Sequence, residues 1–188
     1  MAEVRTGTFL QLREPAPALL ESYADALRRG WSPSSLVDSS GDVLKELEAD
    51  PDAWLDRLLA TSCPLSAGPA DFPVDARAWW LWDDSFAGTI SLRWAPGRPD
   101  RPRQVSGHIG YNIVPWRRGR GYATEALRTL LPTARRITGL DALEIITKRD
   151  NLASQRVIEK NHGKLAGSRG DRLVFLLPLA PSNMTALR

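Results

Sequence analysis

Apolar residues along the first third of the chain recur at helical spacing. Leu19, Leu20, Tyr23, Ala26 and Leu27 share one face of Ala16–Arg29, and Gly30 is placed to end that helix. A second helical stretch starts near Gly41. Asp50-Pro51 then supplies a cap followed by proline at a first helical position, with Trp54, Leu55, Leu58 and Leu59 repeating behind it. A short strand is expected at Thr8–Leu12, and the proline-rich Cys63–Pro73 reads as a loop.

The period then changes. Ala76–Trp82 and Phe86–Trp94 are rich in aromatic and branched residues, and Asp83-Asp84-Ser85 joins them as a hairpin turn. Trp79, Trp80 and Trp82 fall in the first of these strands and suit a core or a pocket wall. Ala95–Gln104, dense in proline and arginine, is expected as an exposed loop, and Ser106–Val114 as a third strand. Gly121–Thr138 carries a long apolar stripe, with Pro132 expected to kink it. Ala142–Thr147, Leu152–Lys160 and Leu173–Leu179 read as strand, helix and strand. This order predicts an α/β fold, one mixed, largely antiparallel sheet of about six or seven strands flanked by helices.

The length, 188 residues, fits one domain over 1–188, with a helical third at 13–62 and a binding core at about 76–179. With 43% hydrophobic and 25% charged residues the chain has the balance of a soluble globular protein. No apolar run reaches membrane-span length, the first residues lack the order of a secretory signal, and Cys63 is the lone cysteine. A cytoplasmic address and no metal are the expectations. The formal charge of +3 is too small an excess to imply a nucleic-acid partner. The basic clusters Arg98–Arg103 and Arg117–Arg120 read, taken alone, as solvated loops.

One stretch changes that picture. In Ile113–Leu127 a strand ends, a basic glycine-rich turn follows, and an amphipathic helix begins at once. Such a turn leaves backbone N–H groups unpaired at the positive end of a helix dipole. Gly119 and Gly121 let the backbone approach a ligand closely, and the arginines add charge; the chemistry served is pyrophosphate binding. There is no G-x-x-x-x-G-K-[ST] and no G-x-G-x-x-G with a following acidic strand end, so neither a P-loop nor a Rossmann site fits.

Arg118-x-x-Gly121-x-Ala123 resembles the R/Q-x-x-G-x-G/A signature of the GNAT superfamily of acyltransferases. A second block, Ile145–Asn161, looks like the strand, loop and helix that follow in that superfamily, with Asn151 and Ser154 as its N-x-x-S element. Gly107-His108-Ile109-Gly110-Tyr111 also resembles a group of acetyltransferases with a G-H-I-G-Y strand before the turn. His162 stands where that group carries glycine.

The resemblance implies direct acetyl transfer from acetyl-CoA to a primary amine. It implies that Ile113, Val114, Arg118, Gly119, Arg120, Gly121, Tyr122, Ala123, Asn151 and Ser154 hold the cofactor. Backbone N–H groups of Ile113 and Val114 would stabilise the oxyanion. An amine near pKa 10 must lose a proton before attack, and the leaving thiolate, with pKa about 8.5, gains from an acid. His108, on the strand that carries the base in many such enzymes, is the candidate base, with Asp83 or Asp84 acting through water as alternatives. Ser154 and Tyr111 are both candidates for the acid, since a tyrosine common in the helix after Asn151 is absent. The acceptor is a small-molecule or peptide amine, with neither nucleic acid nor membrane as partner and with homodimerisation open. A domain of the same fold that binds acyl-CoA without turnover is the rival reading.

Overall fold

The structure, a computed structural model, describes residues 10–34, 37–60, 62–63, 74–96 and 107–179. Its centre is a hairpin of β3 (Val74–Asp83) and β4 (Ser85–Trp94), which reverses at Asp84 in the left-handed conformation, φ 58°. The two strands pair from Asp75↔Trp94 to Asp83↔Ser85, with a bulge at Leu81/Trp82. β1 (Gln11–Arg13) and β2 (Ser62–Cys63) pair with β3, and β5 (Ile109–Ile113) pairs with β4, giving the path β1-β3-β4-β5. The second sheet has the order β6-β8-β7, from β6 (Ala142–Lys148), β7 (Lys164–Arg169) and β8 (Arg172–Pro178).

Strand alternation sends neighbouring side chains of β3 to different cores. Trp79 and Leu81 join Ile90 and Leu92 of β4 beneath α4 (Tyr122–Thr138) and α5 (Leu152–Lys160). Trp80 faces the opposite way with Phe86, against α1 (Leu20–Arg28), α2 (Ser40–Ala49) and α3 (Pro51–Leu59). There Tyr23 stacks on Trp80 with ring centroids 4.7 Å apart and meets Trp31 and Phe86 edge-on. Offset and edge-on aromatic pairs of this kind add to the burial of their area. Asp50 caps α3 by accepting from the Ala53 N–H at 3.0 Å, as its position before Pro51 predicts.

Two features depart from the pattern of the sequence. The expected single mixed sheet is divided into two, and every strand pairing in each is antiparallel. β7 was not expected: all its residues are exposed, so no apolar alternation marks it. Pro132 lies inside α4, as its place in the apolar stripe predicts. The expectations for residues 1–9, 64–73 and 97–106 lie outside the described residues. None of the described helices is long and apolar enough to cross a membrane.

Candidate active site

β5 and β6 are the facing edges of the two sheets, and they meet at one point. Gly107 bridges to Ile145, the His108 N–H donates to the Glu144 carbonyl at 2.7 Å, and the Glu144 N–H donates to His108 Nδ1 at 2.9 Å. Gly107 has φ 83°, and a Cβ there would lie 2.9 Å from the Glu144 oxygen, so the join needs glycine. Past it the strands part and pair no further.

The polarity of the parted edge follows from the ladder. Val114 donates to the Ala87 carbonyl at 3.1 Å, and the Arg93 N–H donates to His108 O at 2.8 Å. Antiparallel pairs alternate between bonded and non-bonded, so Asn112 and Gly110 also bond toward β4. Ile109, Tyr111 and Ile113 therefore direct their backbone groups into the gap. Ile113 is in place to donate there. Val114 is not, because its amide is taken by Ala87 and its side chain is fully buried in the core beneath α1–α3.

The basic turn leaves the gap at Pro115 and closes on α4. Gly119 (φ 76°) and Gly121 (φ 83°) are both left-handed, and a Cβ on either would meet nothing within 4 Å. Gly121 is the N-cap of α4 and no side chain caps that end, so the first amides, from Tyr122 and Ala123 onward, point out of a seventeen-residue helix. Arg120 is exposed beside them, whereas Arg118 turns back to donate from Nε to the Ile113 carbonyl at 3.0 Å. Arg117 does not face the turn's outer surface. It pairs with Asp83 at 2.5 Å and donates to Ser85 Oγ at 2.8 Å, and the Tyr122 hydroxyl donates to the same Asp83 oxygen.

On the α5 side of β5, the Tyr111 hydroxyl and Ser154 Oγ share a hydrogen bond of 2.7 Å. Burial pushes the phenol up to about 12, against a smaller opposing effect of the Ser154 hydrogen bond. Asn151 is exposed and caps α5, accepting from the Ser154 N–H at 3.0 Å. Asn161, buried at the other end of α5, donates from Nδ2 to the Thr124 carbonyl at 3.2 Å and ties α5 to the start of α4. His162 takes the left-handed conformation, φ 68°, that glycine would adopt more easily. The next residue must be glycine, because a Cβ on Gly163 would lie 2.2 Å from Ile158 Cγ2.

The opposite face of β5 carries His108, Gly110 and Asn112. Asn112 donates from Nδ2 to the Ser32 carbonyl at 2.7 Å and lines a pocket of about 360 Å³ with Trp31, Ser32, Asp38, Pro115 and Arg118. The Asp38 carboxyl is held below its ordinary range by hydrogen bonds from Ser40. The space beside Gly110 is filled: a Cβ there would lie 2.9 Å from the Arg93 guanidinium. His108 is 5% exposed. A backbone N–H can only donate, so Nδ1 is unprotonated and a neutral ring carries its proton on Nε2. Taking up a second proton would release the Glu144 N–H.

The structure thus brings Tyr111, Ile113, Ser154 and Asn151 to one side of the gap and the turn 118–123 to its mouth. His108 is set at the closed end and Val114 in the core. The Asp83–Arg117–Tyr122 cluster leaves no signal in the sequence, because 34 positions separate Asp83 from Arg117 and no short pattern links them. Asn161 leaves none either, since a polar residue after a helix reads as a solvated end.

A strand edge parted from its neighbour, beside a turn that presents the free amides of a helix start, can take an extended ligand ending in an anion. The chain belongs to the GNAT acetyltransferase family: the family model described as "Acetyltransferase (GNAT) domain" matches residues 11–164. It is an acetyl-CoA-dependent N-acetyltransferase. No curated protein is significantly similar in sequence. Among solved structures, the chain is similar to RimL, a ribosomal L7/L12 alpha-N-protein acetyltransferase bound to coenzyme A, at 18% identity over 94% of this chain and 97% of that one, TM-score 0.58. It is similar to the microcin C7 self-immunity acetyltransferase MccE in complex with acetyl-CoA and AMP, at 14% identity over 92% and 93%, TM-score 0.56. A third is the Salmonella typhimurium acetyltransferase that modifies the N-terminal serine of L7/L12, at 19% identity over 90% and 93%, TM-score 0.56.

Proposed function

We propose that the chain acetylates a primary amine presented by a peptide end or small molecule, with thioester and amine reaching β5 from opposite faces. The observation that carries this reading is the alternation of Tyr111 and Asn112. Tyr111 lies with Ser154 on the cofactor side, while Asn112 lines the pocket beside the α1–α2 connection. Next along the strand, the Ile113 N–H faces the gap, where an oxyanion would form.

In this reading the pyrophosphate sits on the amides of Gly119–Ala123 with Arg118 and Arg120 beside it, and the pantetheine runs along β5 past Asn151. The amine attacks the thioester carbonyl, the tetrahedral oxyanion accepts from Ile113, and the collapsing intermediate expels the thiolate. Tyr111, protonated throughout the neutral range, donates a hydrogen bond to the departing sulfur, with Ser154 orienting the hydroxyl. The strand thereby supplies a phenol that the helix lacks. Burial and the Glu144 contact give His108 a structural role, and the amine loses its proton to water in the open pocket. The helical third and the cofactor-binding core form one catalytic domain, since neither alone supplies both faces.

A panel of primary amines with acetyl-CoA, followed by free-thiol release, tests the function, and the pH dependence tests the mechanism. At low acceptor concentration the rate should rise with pH toward the pKa of the chosen amine, shifting when an amine of different pKa is used. His108→Ala should keep that profile and lose about 1–3 kcal/mol of stability from the orphaned Glu144 N–H. A limb fixed near 6.5 for every amine, and absent in His108→Ala, would restore His108 as base.

A further inference from the structure

The turn that would receive the pyrophosphate is built from residues that resist being held still. Gly119 and Gly121 are left-handed, nothing packs where their side chains would be, and Arg118, Gly119, Arg120 and Gly121 are all exposed. Glycine loses more backbone freedom on ordering than any other residue, so a cradle of this kind is costly to preorganise. The residues on either side of it are treated differently. Arg117, just before the turn, and Tyr122, just after it, both reach one carboxylate oxygen, Oδ2 of Asp83. Arg117 also donates to Ser85 Oγ at 2.8 Å across the β3–β4 hairpin. The Arg117 and Asp83 side chains are 18% and 11% exposed, so solvent competes little for these bonds.

We propose that Asp83 is a positioning residue for acetyl-CoA: its carboxylate fastens both ends of the turn 118–121 to the β3–β4 hairpin and so holds the phosphate cradle in its binding shape. This rests on the reading of the turn as the pyrophosphate site. The arrangement also explains why Arg117 cannot serve as a phosphate ligand while Arg118 and Arg120 can, since its guanidinium is already neutralised. Asp83 touches neither thioester nor amine in this scheme. Its effect should therefore depend on whether the acyl donor carries a pyrophosphate.

The test compares acetyl-CoA with acetyl-pantetheine, a donor with the same thioester and no pyrophosphate. Asp83→Asn keeps an acceptor for Tyr122 but loses the ion pair. It should raise the KM for acetyl-CoA about 10- to 100-fold, the range expected for a charge-assisted hydrogen bond, with kcat at saturation nearly kept. Turnover of acetyl-pantetheine should be unchanged. Tyr122→Phe removes the other arm without burying an unpaired charge, and should shift the acetyl-CoA KM the same way by a smaller factor. It decides the matter alone if Asp83→Asn does not fold. Equal losses with both donors, as general destabilisation would give, or no loss with either, overturn the proposal. If Gly121→Val abolishes coenzyme A binding while Asp83→Asn leaves it intact, only the fastening fails. If Gly121→Val also binds normally, the turn itself has been misassigned.

Discussion

The two faces of β5, as the proposed reaction would use them, are built on different principles. The cofactor face relies on backbone: amides at the start of α4, the Ile113 N–H at a strand edge, and two left-handed glycines that let a ligand come close. The acceptor face relies on side chains and a connection between helices, with Trp31, Asp38 and Asn112 around an open pocket. Backbone groups recognise what every donor of one class shares, here a pyrophosphate and a thioester. Side chains can be exchanged without disturbing the ladder, and the proposal gives them the choice of amine. In that proposal specificity falls to the helical third, where Tyr23 and Trp31 pack on Trp80 and Phe86 of the β3–β4 hairpin.

The sharpest way to break this contrast is Gly121→Val. A side chain would project into open space at the cradle, and a β-branched residue there costs about 1–2 kcal/mol in the left-handed conformation. Coenzyme A affinity measured by calorimetry should fall by about 100-fold or more, well beyond the effect of that stability loss. Retained affinity would mean that the backbone is not the recognition element.

Tyr111→Phe probes the one side chain on the cofactor face assigned a chemical role. Turnover should fall about tenfold, with the acetyl-CoA KM little changed, because the hydroxyl acts on the departing sulfur. The same variant has a second readout. The folded phenol sits at about 12 against 10.0 unfolded, so the native state holds its proton more tightly. The stability this contributes is whole below pH 10 and is lost as pH rises through about 12. Alkaline unfolding should be shallower in Tyr111→Phe over that window, with the buried Tyr23, also raised by desolvation, supplying what slope remains.

The smallest effect lies beyond both faces. His162 occupies a left-handed position at the end of α5, and His162→Gly should raise stability in urea by about 0.5 kcal/mol. That gain is the relief of the left-handed strain less the extra freedom of glycine in the unfolded chain. Catalysis should not respond, because the turn is already held by Gly163 against Ile158 and by Asn161 against Thr124. A change in the acetyl-CoA KM would show that the end of α5 helps shape the cofactor side.

The strand, turn and helix start proposed to hold the cofactor were legible in the chain because they are consecutive. A strand end, two glycines and a helix start lie within Ile113–Ala123, and Asn151 and Ser154 are three residues apart at a helix start. Local geometry alone decides what such segments present. The acceptor face was not legible: the pocket joins Trp31 and Asp38 to Asn112, and only the stacking of α1 against β3 and β4 sets that distance. His108 shows the same limit from the other side. Its residue type, strand and face suited a base, but the closing of β5 against β6 at Gly107 turned its Nδ1 onto a backbone amide. Asp83 likewise read as a turn residue until the hairpin folded over the phosphate turn and joined it to Arg117 and Tyr122. Periodicity and glycine placement, which act over a few neighbouring residues, were enough to mark most of the helices and strands, the glycine turn before α4 and the reaction class. The tertiary structure alone decided where the two sheets part, which amides remain unpaired and which ionisable side chains are occupied, because hydrogen bonding in a packed interior depends on partners tens of residues away.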